Sequence, residues 1–263
     1  MKPFIIVKLG GSAITDKSVP YSYRAERVDS FAHQIQQFLK HDQGQHTLVL
    51  VHGSGSFGHT EAKKYQVKQG FTTDPTGACI THHAAQSINL RVMESLTTIG
   101  LDVASIAPSS IMTAHDGTLE HVSWGSFERC LLNDITPVLY GDVIWDASKG
   151  CSIFSGERIM DFIVQFAQER DYGVSKVIHV GAEQGVYDAS GTVIPEITPD
   201  SVSSIPFGEV DGADVTGGMR HKVMECLAMA KMGIEVSIID GQSDRSLLDA
   251  LTGDATQGTR ITG

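Results

Sequence analysis

Short apolar runs alternate along this chain with longer stretches in which apolar residues recur at helical spacing. Phe4 to Leu9 is a β-rich run that ends at Gly10-Gly11, and Leu48 to Val51 is a second, again ended by glycines. Val103 to Ile106, Pro137 to Tyr140, Val177 to Val180 and Ile234 to Ile239 read as further strands. Val28, Phe31, Ala32, Ile35 and Leu39 form the stripe of one helix, and Ile88, Val92 and Leu96 mark a second over about 80–99. Ile159 to Ala167 is helical, and Val223 to Met232 reads as a helix with Met224, Leu227 and Ala228 close on one side. Strands rich in Val, Ile and Leu that alternate with helices predict an α/β protein with a mainly parallel sheet covered on both faces. The least regular stretch, about 185–212, carries Pro195, Pro199 and Pro206 and predicts a hairpin excursion or a flap. A lobe boundary falls near residue 170.

The length of 263 residues suits one large domain or two tightly packed lobes, and it buries enough core to need no disulfide or metal staple. With 41% hydrophobic and 19% charged residues the composition is that of a soluble globular protein. Twenty Lys+Arg against 31 Asp+Glu give a net charge of −11, which argues against nucleic acid or an anionic membrane as the main partner. A small anionic ligand stays possible, because a few local cations and amides can dominate one cleft. Cys79, Cys130, Cys151 and Cys226 are widely spaced without a CxxC pair, which predicts ordinary buried thiols in a reducing cytoplasm. No apolar run approaches the roughly 20 residues of a membrane span. The start, MKPFIIVKLGGS, turns glycine-rich too early for a good signal peptide, so the expected location is cytoplasmic.

Ligands of open parallel sheets bind at the carboxyl ends of the strands, and three polar, glycine-rich turns lie at such positions. The first is Lys8-Leu9-Gly10-Gly11-Ser12, followed by Thr15-Asp16-Lys17. Its glycines let backbone amides approach a phosphate, although Gly-Gly after a strand is also an ordinary tight turn. The second, His52 to His59, satisfies GxGxxG with Gly53, Gly55 and Gly58, so a dinucleotide-dependent oxidoreductase is one reading. The acidic residue expected at the end of the next strand is not evident there. His59 is expected at a helix start, suited to an oxyanion. The third is Asp214-Val215-Thr216-Gly217-Gly218-Met219 with Lys222 beyond it, which reads as a phosphate site or as a capped helix with a solvated lysine. Three such turns in one acidic protein point to a donor polyphosphate meeting an anionic acceptor. Phosphoryl transfer needs in-line positioning and positive charge over the equatorial oxygens, and lysines at separate strand ends supply that. No GxxxxGK[ST], HRD or DFG motif is present.

These turns resemble the amino acid kinase superfamily and, within it, the isopentenyl phosphate kinases. The matching pieces are KLGGSAITDK (8–17), VHGSGSFGH (51–59), PVLYGDV (137–143), SGERI (155–159), GVYD (185–188), ADVTGGMRHK (213–222) and GTRI (258–261), in the family's order over nearly the whole chain. The resemblance implies an open three-layer αβα sandwich, usually a homodimer, with an acceptor lobe over 1–170 and an ATP lobe over 171–263. It implies that Lys8 contacts the transferring phosphate, that Lys17 stabilises the transition state and that Glu157 arranges the lysines. His59 would bind the acceptor phosphate, with Ser54, Gly55 and Gly141 beside that substrate. Gly10, Gly11 and Ser12, with Gly55, Gly185, Thr216, Gly218 and Lys222, would bind ATP. Mg2+ would ride on the nucleotide phosphates, with no dedicated protein metal ligands.

Some positions depart from that pattern. Ser54 stands where the family usually has glycine, Glu157 where it has aspartate, and Ala182 and Gln184 where it has aspartates before the GVY glycine. His82, His83 and Gln86 follow the acceptor loop where an isoprenoid tail wants an apolar wall, and they are expected to face solvent or a dimer partner. Fosfomycin kinases share the fold, the histidine and the lysine set, and a wetter pocket would suit their small phosphonate. A non-catalytic nucleotide sensor is the reading from another class.

Overall fold

The computed structural model describes residues 2–205, 207, 218–254 and 257–263. The chain runs β1 (Phe4–Leu9), α1 (Gly11–Ile14), α2 (Ala25–Asp42), β2 (Thr47–His52), α3 (Gly55–Lys64), α4 (Thr76–Thr98) and β3 (Val103–Ser105). It continues through α5 (Pro108–Ile111), β4 (Met112–His115), β5 (Thr118–Val122), α6 (Gly125–Leu132), β6 (Thr136–Tyr140), β7 (Asp142–Asp146) and β8 (Gly150–Phe154). The remainder is α7 (Gly156–Glu169), β9 (Val174–Gly181), β10 (Glu196–Ile197), α8 (Gly218–Ala230), β11 (Glu235–Asp240), α9 (Ser246–Thr252) and β12 (Gly258–Ile261).

Eight strands form one sheet in the order β10-β12-β11-β9-β1-β2-β6-β3, parallel except between β11 and β12. Every residue of β1 is buried, as a central parallel strand requires. Its alternation sorts two cores: Phe4 and Ile6 join the cluster under α7 and α8, while Ile5, Val7 and Leu9 join the one under α2, α4 and α9. The chain leaves β1 for β2 on one side and returns as β9 on the other, so a switch point falls at the carboxyl end of β1.

Four points differ from the sequence reading. The helix near 223–232 starts at Gly218 and buries Val223, Cys226, Leu227 and Ala230, leaving Met224 and Ala228 exposed. Two overlapping stripes are available in that segment, and packing against β11 and β12 selects the one with Val223 and Cys226. A second sheet, β5-β4-β7-β8, is absent from the sequence reading, which has one strand over Pro137 to Tyr140, while β7 begins after the single residue Gly141. Cys79 is exposed, unlike the buried Cys151 and Cys226, and all four thiols are free. His59 lies in the second turn of α3, one turn beyond the expected helix start. In the irregular stretch a hairpin-like turn does form, with Tyr187 bridging Val193. No described helix is long and apolar enough to cross a membrane.

The first two glycine turns are packed backbone to backbone. A Cβ on Gly11 would stand 2.8 Å from the Gly55 Cα, and one on Gly53 would stand 2.8 Å from the Gly11 nitrogen. Gly55, at φ +50, leaves room for Thr15, whose hydroxyl accepts from the Ser56 amide at 3.0 Å and donates to the Gly11 carbonyl at 2.6 Å. Gly11→Ala should therefore lower stability by about 1–3 kcal/mol, because backbone, not a flexible side chain, must yield. Urea denaturation measures this, and an unchanged midpoint would contradict the packing.

Candidate active site

Lys8 occupies a position on β1 where neighbouring Ile6 and Phe4 are aliphatic or aromatic core, and it is 4% exposed. Its ammonium pairs with the Glu157 carboxylate from the first turn of α7. Ser155 caps that helix by accepting from the Arg158 amide at 3.3 Å. Gly156 lets the helix start close over the strand ends: a Cβ there would lie 3.1 Å from the His52 carbonyl oxygen and 3.5 Å from Lys8 Cε. Gly141 closes the same corner, its amide donating to the His52 carbonyl at 2.9 Å.

Burial pushes the Glu157 carboxyl upward, but the charge and hydrogen bond of Lys8, with the Lys222 charge behind them, hold it well below the usual carboxylate range. Burial lowers the Lys222 ammonium, and repulsion from Lys8 adds to this while Glu157 opposes it. Beneath them His179, level with Lys8 on β9, is 2% exposed, and neither of its ring nitrogens has a hydrogen-bond partner among the described residues. Burial, then the charges of Lys8 and Lys222, push its pKa down to about 3, so the imidazole is neutral. A neutral ring can stand beside two cations where a third charge could not.

One cleft of about 890 Å³ gathers most of the residues singled out by sequence. Lys8, Gly10, Gly11, Ser12 and Lys17 line it from the first turn, and Ser54 and His59 from the second. Gly141, Glu157 and Lys222 complete the set. Lys17 is exposed at the mouth, and its charge acts on Lys222. Gly55 and Gly185 do not line the cleft, against expectation. Gly55 is the spacer under Thr15, and Gly185 packs on Thr259, where a Cβ would meet the hydroxyl at 2.7 Å. Gly218 opens α8, and Thr216 lies outside the described residues.

The departures find local accommodation. The Ser54 side chain folds over Gly58, where an added Cβ would be 2.3 Å from its hydroxyl. Ala182 lines the cleft, whereas Gln184 is exposed and its amide donates to the Tyr187 hydroxyl at 3.2 Å. His83 and Gln86 are exposed as expected, but His82 is not: its Nδ1 meets the Asp142 carboxylate at 2.8 Å. That hydrogen bond raises the His82 pKa against partial burial. Sequence reasoning missed Asp142, Asp161, His179 and Glu225. Asp142 lies in the PVLYGDV piece without having been singled out, and His179 carried a signal as a polar residue inside an otherwise apolar strand; Asp161 and Glu225 carried none.

The family profile described as "Amino acid kinase family" matches residues 3–240. An isopentenyl phosphate kinase of Methanothermobacter thermautotrophicus is 30% identical, over 98% of this chain and 99% of its own. One of Haloferax volcanii is 34% identical, over 86% of this chain and 88% of its own. The chain belongs to the amino acid kinase family. A solved structure titled "X-ray structures of isopentenyl phosphate kinase" superimposes with a TM-score of 0.79 at 26% identity, covering 98% of this chain and 100% of that one. The protein is accordingly a phosphotransferase with the amino acid kinase fold, and the GxGxxG turn belongs to a kinase and not to a dinucleotide-dependent oxidoreductase.

Asp161, one turn after Glu157 on α7, is pushed up from 3.8 to about 7, first by burial and then by the charges of Glu225 and Glu157, with Arg158 opposing. An acid raised in the folded state binds more protons folded than unfolded, so stability falls as pH climbs from about 4 to about 7. Asp161→Asn should melt at least about 2 °C above the parent beyond about pH 7, with the gain vanishing toward about pH 4. Thermal melts across that range check it, and a variant no more stable at the alkaline end would refute it.

Proposed function

We propose that this enzyme transfers the γ-phosphoryl group of ATP to isopentenyl phosphate, giving isopentenyl diphosphate and ADP. The reading rests on the convergence of Lys8, Lys17 and Lys222, organised by Glu157, on one cleft that also holds His59. Curated relatives named as isopentenyl phosphate kinases over nearly the full chain favour this acceptor over the phosphonate of fosfomycin kinases.

Lys8 contacts the migrating phosphoryl group, and Glu157 keeps its ammonium aimed along the cleft. Lys17, at the mouth, adds charge to the equatorial oxygens as the bond to the leaving oxygen lengthens. His59 donates to the acceptor phosphate, with backbone at Ser54 and Gly141 beside it. Amides of Gly10, Gly11 and Ser12, with Lys222, hold the donor phosphates, joined by Thr216 and Gly218 of the third glycine-rich turn. Residues 1–170 form the acceptor lobe and 171–263 the ATP lobe of one continuous sheet. A magnesium ion would be carried by the nucleotide phosphates, with Glu157 engaged by Lys8 and Glu225 by His221. Such an ion neutralises phosphate charge. A homodimer in the cytoplasm is the working assembly and location.

ADP release with isopentenyl phosphate, dimethylallyl phosphate and fosfomycin, compared side by side, tests the acceptor. Isopentenyl phosphate should be used at least tenfold more efficiently than fosfomycin, and the reverse order would overturn the reading. Lys8→Ala and Lys17→Ala should each reduce kcat by about 10²–10³ with intact circular dichroism. His59→Ala should raise the acceptor KM far more than that of ATP, with His59→Gln milder; unchanged acceptor kinetics would remove His59 from the site.

A further inference from the structure

The cleft has a second arm, which the transfer step itself leaves unused. One wall is a face of α3, where His59 is followed by Ala62 and Lys63, with Gln66 in the turn after the helix. Lys63 stands one turn, about 6 Å, beyond His59. The other wall is the β7–β8 hairpin, whose register orders it outward from the transfer centre: Asp142 opposite Phe154, Val143 opposite Ile153, then Ser152, then Lys149 at the tip. From Phe154 to Lys149 is about 17 Å of strand. The arm therefore has a short apolar waist, made by Ala62, Ala85, Val143 and Ile153, and a polar end, made by Lys63, Gln66, Gln69, Ser152 and Lys149.

That polar end is built and fixed. The Phe71 amide donates to the Lys149 carbonyl at 2.8 Å, and a Cβ on Gly70, at φ +77, would stand 2.2 Å from the same oxygen. The two walls thus clasp at the far end. Behind the hairpin Asp146 is 5% exposed and accepts from the Gly117 amide at 2.7 Å, the Ser152 hydroxyl at 2.7 Å and the Lys149 amide at 3.1 Å. Those three residues all line the arm. Burial opposes these hydrogen bonds, but they win and hold the Asp146 carboxyl well below its usual range, so it stays anionic and keeps the wall in place. The other acid on this wall, Asp142, is turned onto His82. Lysines therefore dominate the far end of the arm in a protein whose net charge is −11.

A hydrocarbon chain longer than the waist would cover these amines and amides without replacing their water, which is unfavourable. A terminal anion would meet charge-assisted donors there. We propose that the far end of this arm binds a second anionic group, so that the enzyme also takes short phosphomonoesters whose chain ends in a carboxylate. The inference rests on the reading of this cleft as the acceptor site, and it adds an acceptor class to isopentenyl phosphate.

The test is ADP release by the parent protein with isopentenyl phosphate, pentyl phosphate and the phosphate ester of ω-hydroxypentanoate, whose free end is a carboxylate. The ratio of kcat/KM for the carboxylate ester over pentyl phosphate should be about tenfold. It should fall at least tenfold in the double variant Lys63→Met, Lys149→Met, and survive in Lys63→Arg, Lys149→Arg. A ratio below one in the parent, or one the methionine pair leaves unmoved, overturns the inference. Isopentenyl phosphate turnover with a ratio below one sinks only this inference; turnover of the carboxylate ester without turnover of isopentenyl phosphate sinks only the main acceptor assignment.

Discussion

A charged ammonium inside a central parallel strand is the constraint around which this fold is arranged. Lys8 is almost wholly buried at its place on β1, so most of its charge must be met within the protein, and α7 meets it by starting with Glu157 directly over the strand end. A buried pair of this kind gives little net stability, yet removing one partner costs about 3–5 kcal/mol because the other is left stranded. The pair is thus retained for position more than for stability. The neutral His179 and the lowered Lys222 show the same pressure, since burial first and neighbouring cations second reduce the proton affinity of each. A polyphosphate entering the cleft relieves that repulsion, which links the cost of assembling the site to the binding of its ligand.

The glycines serve this arrangement by allowing close approach. Gly11, Gly53 and Gly55 bring two loops from neighbouring strands into backbone contact, so both loops move as one rigid unit beside the cleft. In-line transfer requires that kind of fixed distance between two bound phosphates. Gly156 and Gly141 play the same part at the opposite corner, where α7 descends onto β2.

The smaller sheet reaches the same cleft. Its β7–β8 hairpin projects from the carboxyl end of β6 and supplies one cleft wall. Asp146, saturated with donors, makes that wall stiff. On the proposed function, the large sheet carries the chemistry and the small one the choice of acceptor.

The alternating pattern of Val- and Ile-rich runs with helical stripes determined the class of fold, the strands from Phe4 to Leu9 and near Leu48, and the three glycine turns, because burial on both faces of a parallel sheet writes itself directly into hydrophobicity. Glycine-rich turns in the local pattern likewise marked Lys8, Lys17, His59 and Lys222, and the family resemblance marked Glu157. Only the tertiary structure decided that Met224 and Ala228 face water, that His82 turns to Asp142, and that Gly55 and Gly185 are spacers away from the cleft wall. It alone brought Asp161 beside Glu225 and put His179 under two lysines. Those relations join residues tens of positions apart, and their meaning is a distance and a shared low-dielectric environment, neither of which is encoded in any local run of residues.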